Sequence, residues 1–134
     1  MASISAFPVI GDTIHGAFGT EMSYEASADV LAGQVVKISS GKISPATAGT
    51  DAMIGVAIYD IPAGTIGAVR VVGVVKVANA TDGTAINAGA LVTASTLGGI
   101  AAASTGKVLG VALEAIAGNG TGLVAIGVSL CPAS

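Results

Sequence analysis

An internal repeat constrains this chain more than any other feature. Asp29-Val30-Leu31-Ala32-Gly33-Gln34-Val35-Val36 returns as Ala85-Ile86-Asn87-Ala88-Gly89-Ala90-Leu91-Val92. Met53-Ile54-Gly55-Val56-Ala57-Ile58 returns as Val108-Leu109-Gly110-Val111-Ala112-Leu113. Ala63-Gly64-Thr65-Ile66-Gly67-Ala68-Val69-Arg70-Val71-Val72-Gly73-Val74 aligns with Ala117-Gly118-Asn119-Gly120-Thr121-Gly122-Leu123-Val124-Ala125-Ile126-Gly127-Val128. The three blocks recur in order at an offset of about 55 residues, drifting by one or two. Two copies are too few for a solenoid, which needs at least about three stacked units. They fit one domain made of two pseudo-symmetric halves, about 28–78 and 84–130.

Each half carries strand signals. Gln34 to Ser39 is a β-rich run that ends at the turn pair Ser40-Gly41, with a return at Lys42 to Ser44 stopped by Pro45. Met53 to Tyr59 is a second run, broken by Pro62-Ala63-Gly64. Ile66 to Val77 is a long Val-rich run with Gly73 inside it, and an interior glycine marks a bulge or a close backbone approach. The second half predicts strands at Ala90–Ser95, Gly99–Ala103, Lys107–Ile116 and Gly122–Leu130. Short β-branched runs between frequent turns predict an all-β fold, a small barrel or sandwich. Leu109, Leu113 and Ile116 also have helical spacing, but the repeat partner carries Ile58, Tyr59 and Pro62, which suit a strand, so both are read as strands. Glu21 to Leu31 has room for a helical turn or two.

Residues 1–27 have no counterpart in the repeat as aligned. They hold both Phe residues and one of the two Tyr. The reading is an N-terminal arm (1–27) ahead of a β domain (28–134). Phe7, Pro8, Val9, Ile10 and Ile14 are the candidate partner contacts, because an extended apolar segment can add to the edge of a neighbour's sheet. The alternative is a strand that completes its own barrel.

Composition narrows the function classes. Of 134 residues, 52% are apolar but only 3% are aromatic, so the core is built from Val, Ile, Leu and Ala. Charged residues make up 10%, against about 25% in ordinary domains. Such a surface is either coated by Ser, Thr, Asn and Gly or covered by other subunits. The net charge is −3, and the basic residues Lys37, Lys42, Arg70, Lys76 and Lys107 stand singly, which argues against a nucleic-acid partner. The uncharged run from Gly83 to Gly106 is long enough to span a bilayer, yet it is mostly Gly, Ala, Ser, Thr and Asn, with few of the large apolar side chains that drive insertion. No membrane partner and no signal peptide are expected.

Chemistry is sparse. His15 is the sole histidine, and no G-x-S-x-G nucleophile motif accompanies it. Cys131 is the sole cysteine, so no intrachain disulfide forms, and no Lys or Arg lies near it in sequence to activate the thiol. Calcium-loop, CxxC and HExxH patterns are missing, so no metal site is expected. Gly118-Asn119-Gly120-Thr121-Gly122 lacks the Lys-Ser/Thr ending of a phosphate loop, and its partner Gly64-Thr65-Ile66-Gly67 is a plain turn. Asp60 and Glu114 follow the two G-V-A strands and suit turn capping. No catalytic residue and no cofactor are assigned.

The combination A-G-x-V-V-x-[IV], I-G-V-A and A-G-x-x-G-x-V-x-V-x-G-V resembles the capsid decoration, or cement, proteins of tailed phages. The residues that carry it are Ala32-Gly33-Gln34-Val35-Val36-Lys37-Ile38, Ile54-Gly55-Val56-Ala57, and Ala63-Gly64 through Val74. The likeness covers roughly Ala28 to Leu130. It implies a small β-barrel-like fold, homotrimers on the outer capsid surface of the virion, the major capsid protein as partner, and no catalysis. Two other readings share a β fold. One is a head fibre or similar virion-attached protein. The other is a lipoyl or biotinyl carrier, with Lys76 in Val75-Lys76-Val77 as the modified residue.

Overall fold

The structure is a computed structural model that describes residues 20–79, 84–103 and 107–127. Among these lie nine strands and one 3-10 turn. The strands are β1 (Thr20–Glu25), β2 (Val35–Ser39), β3 (Lys42–Pro45), β4 (Met53–Ala57), β5 (Ile66–Ala78), β6 (Leu91–Ala94), β7 (Ile100–Ala102), β8 (Gly110–Ala112) and β9 (Thr121–Ile126). The fold is all-β, as the run-and-turn pattern predicts. The helical option for Glu21 to Leu31 is overturned, because that stretch begins with β1, hydrogen-bonded to β5.

The strand order is β3-β2-β4-β5-β9-β8-β6-β7, with β1 also beside β5. Exchanging β2 with β6, β3 with β7, β4 with β8 and β5 with β9 reproduces the same order read backwards. The repeat is therefore a property of the fold. The registers agree residue by residue. Val56 faces Arg70 and Ala57 faces Val69 in one half; Val111 faces Ala125 and Ala112 faces Val124 in the other. Val35 opposes Val56 as Leu91 opposes Val111. These pairs correct the third block of the alignment, since Val69 corresponds to Val124 and not to Leu123. The slip matters because one residue of register exchanges the two faces of a strand.

β5 is the hinge of the architecture. Its first part, 66–72, pairs with β1 and β4, and its second part, 73–78, pairs with β9. The exchange of partners falls at Gly73, whose φ of 126° is open to glycine and strained for other residues. The second part does for one half what β1 does for the other. Met22 opposes Val69 as Val75 opposes Val124, and Tyr24 opposes Gly67 as Val77 opposes Gly122. The equivalence continues into the parallel bridges Ala26–Ile43 and Asn79–Ile100, which bring each half's leading strand round to its far edge. Thr20–Glu25, read from sequence as part of the arm, is thus a member of the sheet and of the repeat.

The I-G-V-A motif has a steric origin. A Cβ on Gly55 would overlap the carbonyl oxygen of Arg70, and one on Gly110 would overlap that of Ala125. Gly67 and Gly122 make room in the same way for Ile61 and Ile116. The two glycine-rich loops close as equivalent turns, with Thr65 N donating to Pro62 O (3.0 Å) and Gly120 N to Ala117 O (2.8 Å).

Two apolar clusters fill the interior. The smaller lies within the first half, around Val36, Ile43, Ile61 and Val69. The larger joins both halves. It packs Val35, Ala46 and Val56 with Val77, Ile86, Ile100, Ile116 and Ile126. Nearly all of these side chains are β-branched or Ala, so each contributes only about 1.5–3 kcal/mol or less of burial, and no single aromatic dominates.

The close approaches predict an ordered pair of outcomes. Gly55→Ala forces β4 away from β5 and should cost about 1–3 kcal/mol or more. Gly41→Ala meets only open space, and at a φ of 76° it should cost about 1 kcal/mol. Urea unfolding of the two variants checks the order.

Candidate functional site

The turn 29–34 and the connection after β4 are tied together by reciprocal carboxylate bonds. Asp60 Oδ1 accepts from Ala32 N (2.8 Å), and Asp29 Oδ1 accepts from Ala63 N (2.9 Å). Glu114 Oε2 accepts from Leu123 N (3.0 Å). Asp60 and Glu114 both hold backbone N–H groups, but they hold different elements, so they are not equivalent caps on two related edges.

The clasped turns present Leu31 and Tyr59, which are 56% and 66% exposed. Beside them runs an open apolar groove of about 390 Å³. Ala32, Gly33, Ala57 and Ile58 form one wall, and residues 75–78 of β5 with Thr121 form the other. Lys76 lies here, mid-strand and opposite Leu123. A carrier's modified lysine needs a hairpin tip, so this placement removes the carrier reading.

A second, polar depression of about 750 Å³ gathers Lys37, Lys42 and Lys107 with Ser39, Ser44 and Asp51. Three of the five basic residues therefore converge, although they are far apart in sequence. Acid partners offset two of them. Lys37 Nζ is 3.8 Å from Asp51 Oδ2, and Lys42 Nζ is 3.3 Å from Glu25 Oε2. Pairs this exposed contribute about 0–1 kcal/mol each. Arg70 is better placed. Its Nε and Nη2 donate to Glu21 Oε2 (3.0 and 2.8 Å), and its Nη1 donates to Val74 O (2.8 Å). One side chain thus ties β1 to the segment beyond Gly73.

Asp51 is held below the ordinary carboxylate value of 3.8. The main cause is the backbone N–H of Thr47, with further bonds from Ala48 N and Thr47 Oγ1 and the charge of Lys37; partial burial opposes them. Among the described residues no His, Cys, Asp or Glu cluster could hold a metal ion, and no helix is long and apolar enough to cross a membrane. The candidate contacts Phe7, Pro8, Val9, Ile10 and Ile14, as well as His15 and Cys131, lie outside the described residues.

The site is therefore a set of surfaces. Sequence reasoning singled out the arm and missed Met22, Leu31, Tyr59 and Leu113, all about half exposed or more. Alternation along β5 does carry one such signal. Val69 faces inward, so Ile66 and Val72 face out, and both are exposed.

The model of a phage cement protein family matches residues 15–128. The chain belongs to that family. It is a structural protein of the phage capsid surface. Among solved structures it is similar to the head fibre gp8.5 N base of bacteriophage phi29, at 23% identity and a TM-score of 0.61, covering 81% of this chain and 93% of that one. That likeness shows a shared all-β fold. No curated protein matches.

The Asp51 bonds give this cement protein a pH-dependent term. A carboxylate whose pKa is lowered by folding contributes stability that is present above the unfolded value, near 3.8, and lost as pH falls through the folded one. Asp51→Asn should therefore be less stable than the parent at pH 7. The difference should shrink below about pH 3, as read from urea unfolding at both pH values.

Proposed function

We propose that this cement protein binds the outer surface of the assembled shell, contacts the major capsid protein as a homotrimer, and stabilises contacts between capsomers. The match to the cement family over residues 15–128 supports this reading. The physical features agree with it. Charge is scarce, large apolar side chains stand exposed, and the polar clusters are tied up in turns and ion pairs.

Packaged DNA pressurises a thin shell and strains its contacts. A protein that binds only the assembled shell stabilises that state by mass action. Individual contacts can be weak when copies are linked, because each linked copy raises the effective concentration of the next. Within this reading, the part of the 1–27 arm ahead of β1 is the docking element, with Phe7, Pro8, Val9, Ile10 and Ile14 adding to a capsid or neighbouring edge.

A head-fibre base is the second reading, favoured by the fold shared with the phi29 protein. Copy number separates the two. Quantitative mass spectrometry of purified virions should find this chain near one copy per major capsid protein if it covers the lattice; a sparse signal would favour the fibre. Deleting residues 1–14 should abolish co-sedimentation with shells while leaving the thermal unfolding transition in place. Normal binding by the truncated protein would rule out the arm as the docking element.

A further inference from the structure

The two halves have nearly the same fold, yet they touch through different surfaces. In the first half Val35, Ala46 and Val56 are fully buried, because the second half covers them. Ala46 O accepts from Gly98 N (2.7 Å), and Ile58 packs on the same cluster. Their counterparts in the second half, by strand register and matching backbone bonds, are Leu91, Ala103, Val111 and Leu113. All four are at least partly exposed, and Leu113 is 48% exposed.

The covering surface shows the opposite asymmetry. Val75 and Gly98 of the second half are buried in the joint between halves. Their first-half counterparts are Met22, 50% exposed, and Gly41, which has open space where a side chain would stand. The joint is thus head-to-tail, with one half's socket filled by the other half's plug. Among the described residues one socket is filled, and a plug at the first half and a socket at the second are left uncovered.

We propose that these two free faces bind each other between copies of this chain. The socket around Leu91, Val111 and Leu113 receives the plug around Met22 and Gly41 of a second copy, repeating the joint already made inside the chain. The occupant is argued from that internal joint. Met22 matches Val75 in its place on the strand, and Val75 is buried in the same cluster as the first-half socket residues Val35, Ala46 and Val56. A contact between unlike faces leaves further copies free to add, giving a closed ring if the rotation closes and a filament if it does not. A ring of three would present six halves around one axis. This deepens the self-association proposed above and rests on it.

The test uses the full chain with Cys131→Ser as background. Mixing M22C with L113C should give a disulfide between chains under mild oxidation, and neither variant alone should do so. L113D should raise the apparent dissociation constant of self-association roughly tenfold or more by sedimentation velocity, with its thermal transition retained. Cross-linking within M22C alone or L113C alone would mean a like-with-like contact and would overturn the proposal. So would a chain that stays monomeric at concentrations that saturate shells. A third overturning result is an L113C thiol shielded in the monomer that reacts freely once residues 128–134 are removed, since the chain's own tail would then be the occupant. Protein that coats shells without cross-linking overturns this contact and leaves capsid binding standing; protein that cross-links but ignores shells does the reverse.

Discussion

Everything in this fold depends on β5 serving two sheets in succession. A four-strand unit such as β3-β2-β4-β5 leaves one side of its last strand without a hydrogen-bond partner, and a fifth strand must supply it. The first half takes β1. The second half takes the continuation of β5 beyond Gly73. The halves are therefore not two domains on a tether. Their larger core is common property, with Val35 and Val56 from one side and Ile116 and Ile126 from the other. Arg70 reinforces the exchange by bonding Glu21 before it and Val74 after it.

This arrangement accounts for the composition. With few aromatics, the interior has to be filled by many medium-sized β-branched side chains in layers. The backbones must then approach closely, which is where Gly55, Gly110, Gly67 and Gly122 enter. Scarcity of charge follows from the same economy. Three of the carboxylates, Asp29, Asp60 and Asp51, bond to turns. Beside a few charges, the outside carries exposed apolar side chains such as Met22, Leu31, Tyr59 and Leu113.

Much of this was legible in the sequence, because the repeat is written in residues that geometry forces. Glycines at strand crossings and at turns recur at fixed offsets, and the strands between them follow. The leading strand was hidden. Thr20-Glu21-Met22-Ser23-Tyr24-Glu25 matches Gly73-Val74-Val75-Lys76-Val77-Ala78 in position but in almost no side chain, since one lies largely exposed and the other is half buried in the joint. The one-residue slip in the last block had a related cause, since Gly73 aligns as well with Gly127 by identity as Gly67 does with Gly122, and identity alone cannot choose between them. The exposed surfaces were the least legible. An exposed Leu31 or Tyr59 looks in sequence like any core residue, and convergence of Lys37, Lys42 and Lys107 is produced only by tertiary folding.

The shared strand also has a mechanical meaning. Residues 73–78 are joined to β9 by six consecutive antiparallel pairs, and their chain runs unbroken into the part of β5 clamped by β1 and β4. Tension applied across the two halves along this direction meets a covalent backbone first. To part them, the whole ladder must slide at once instead of opening one rung at a time. A pull along this strand is thus met by the fold in shear.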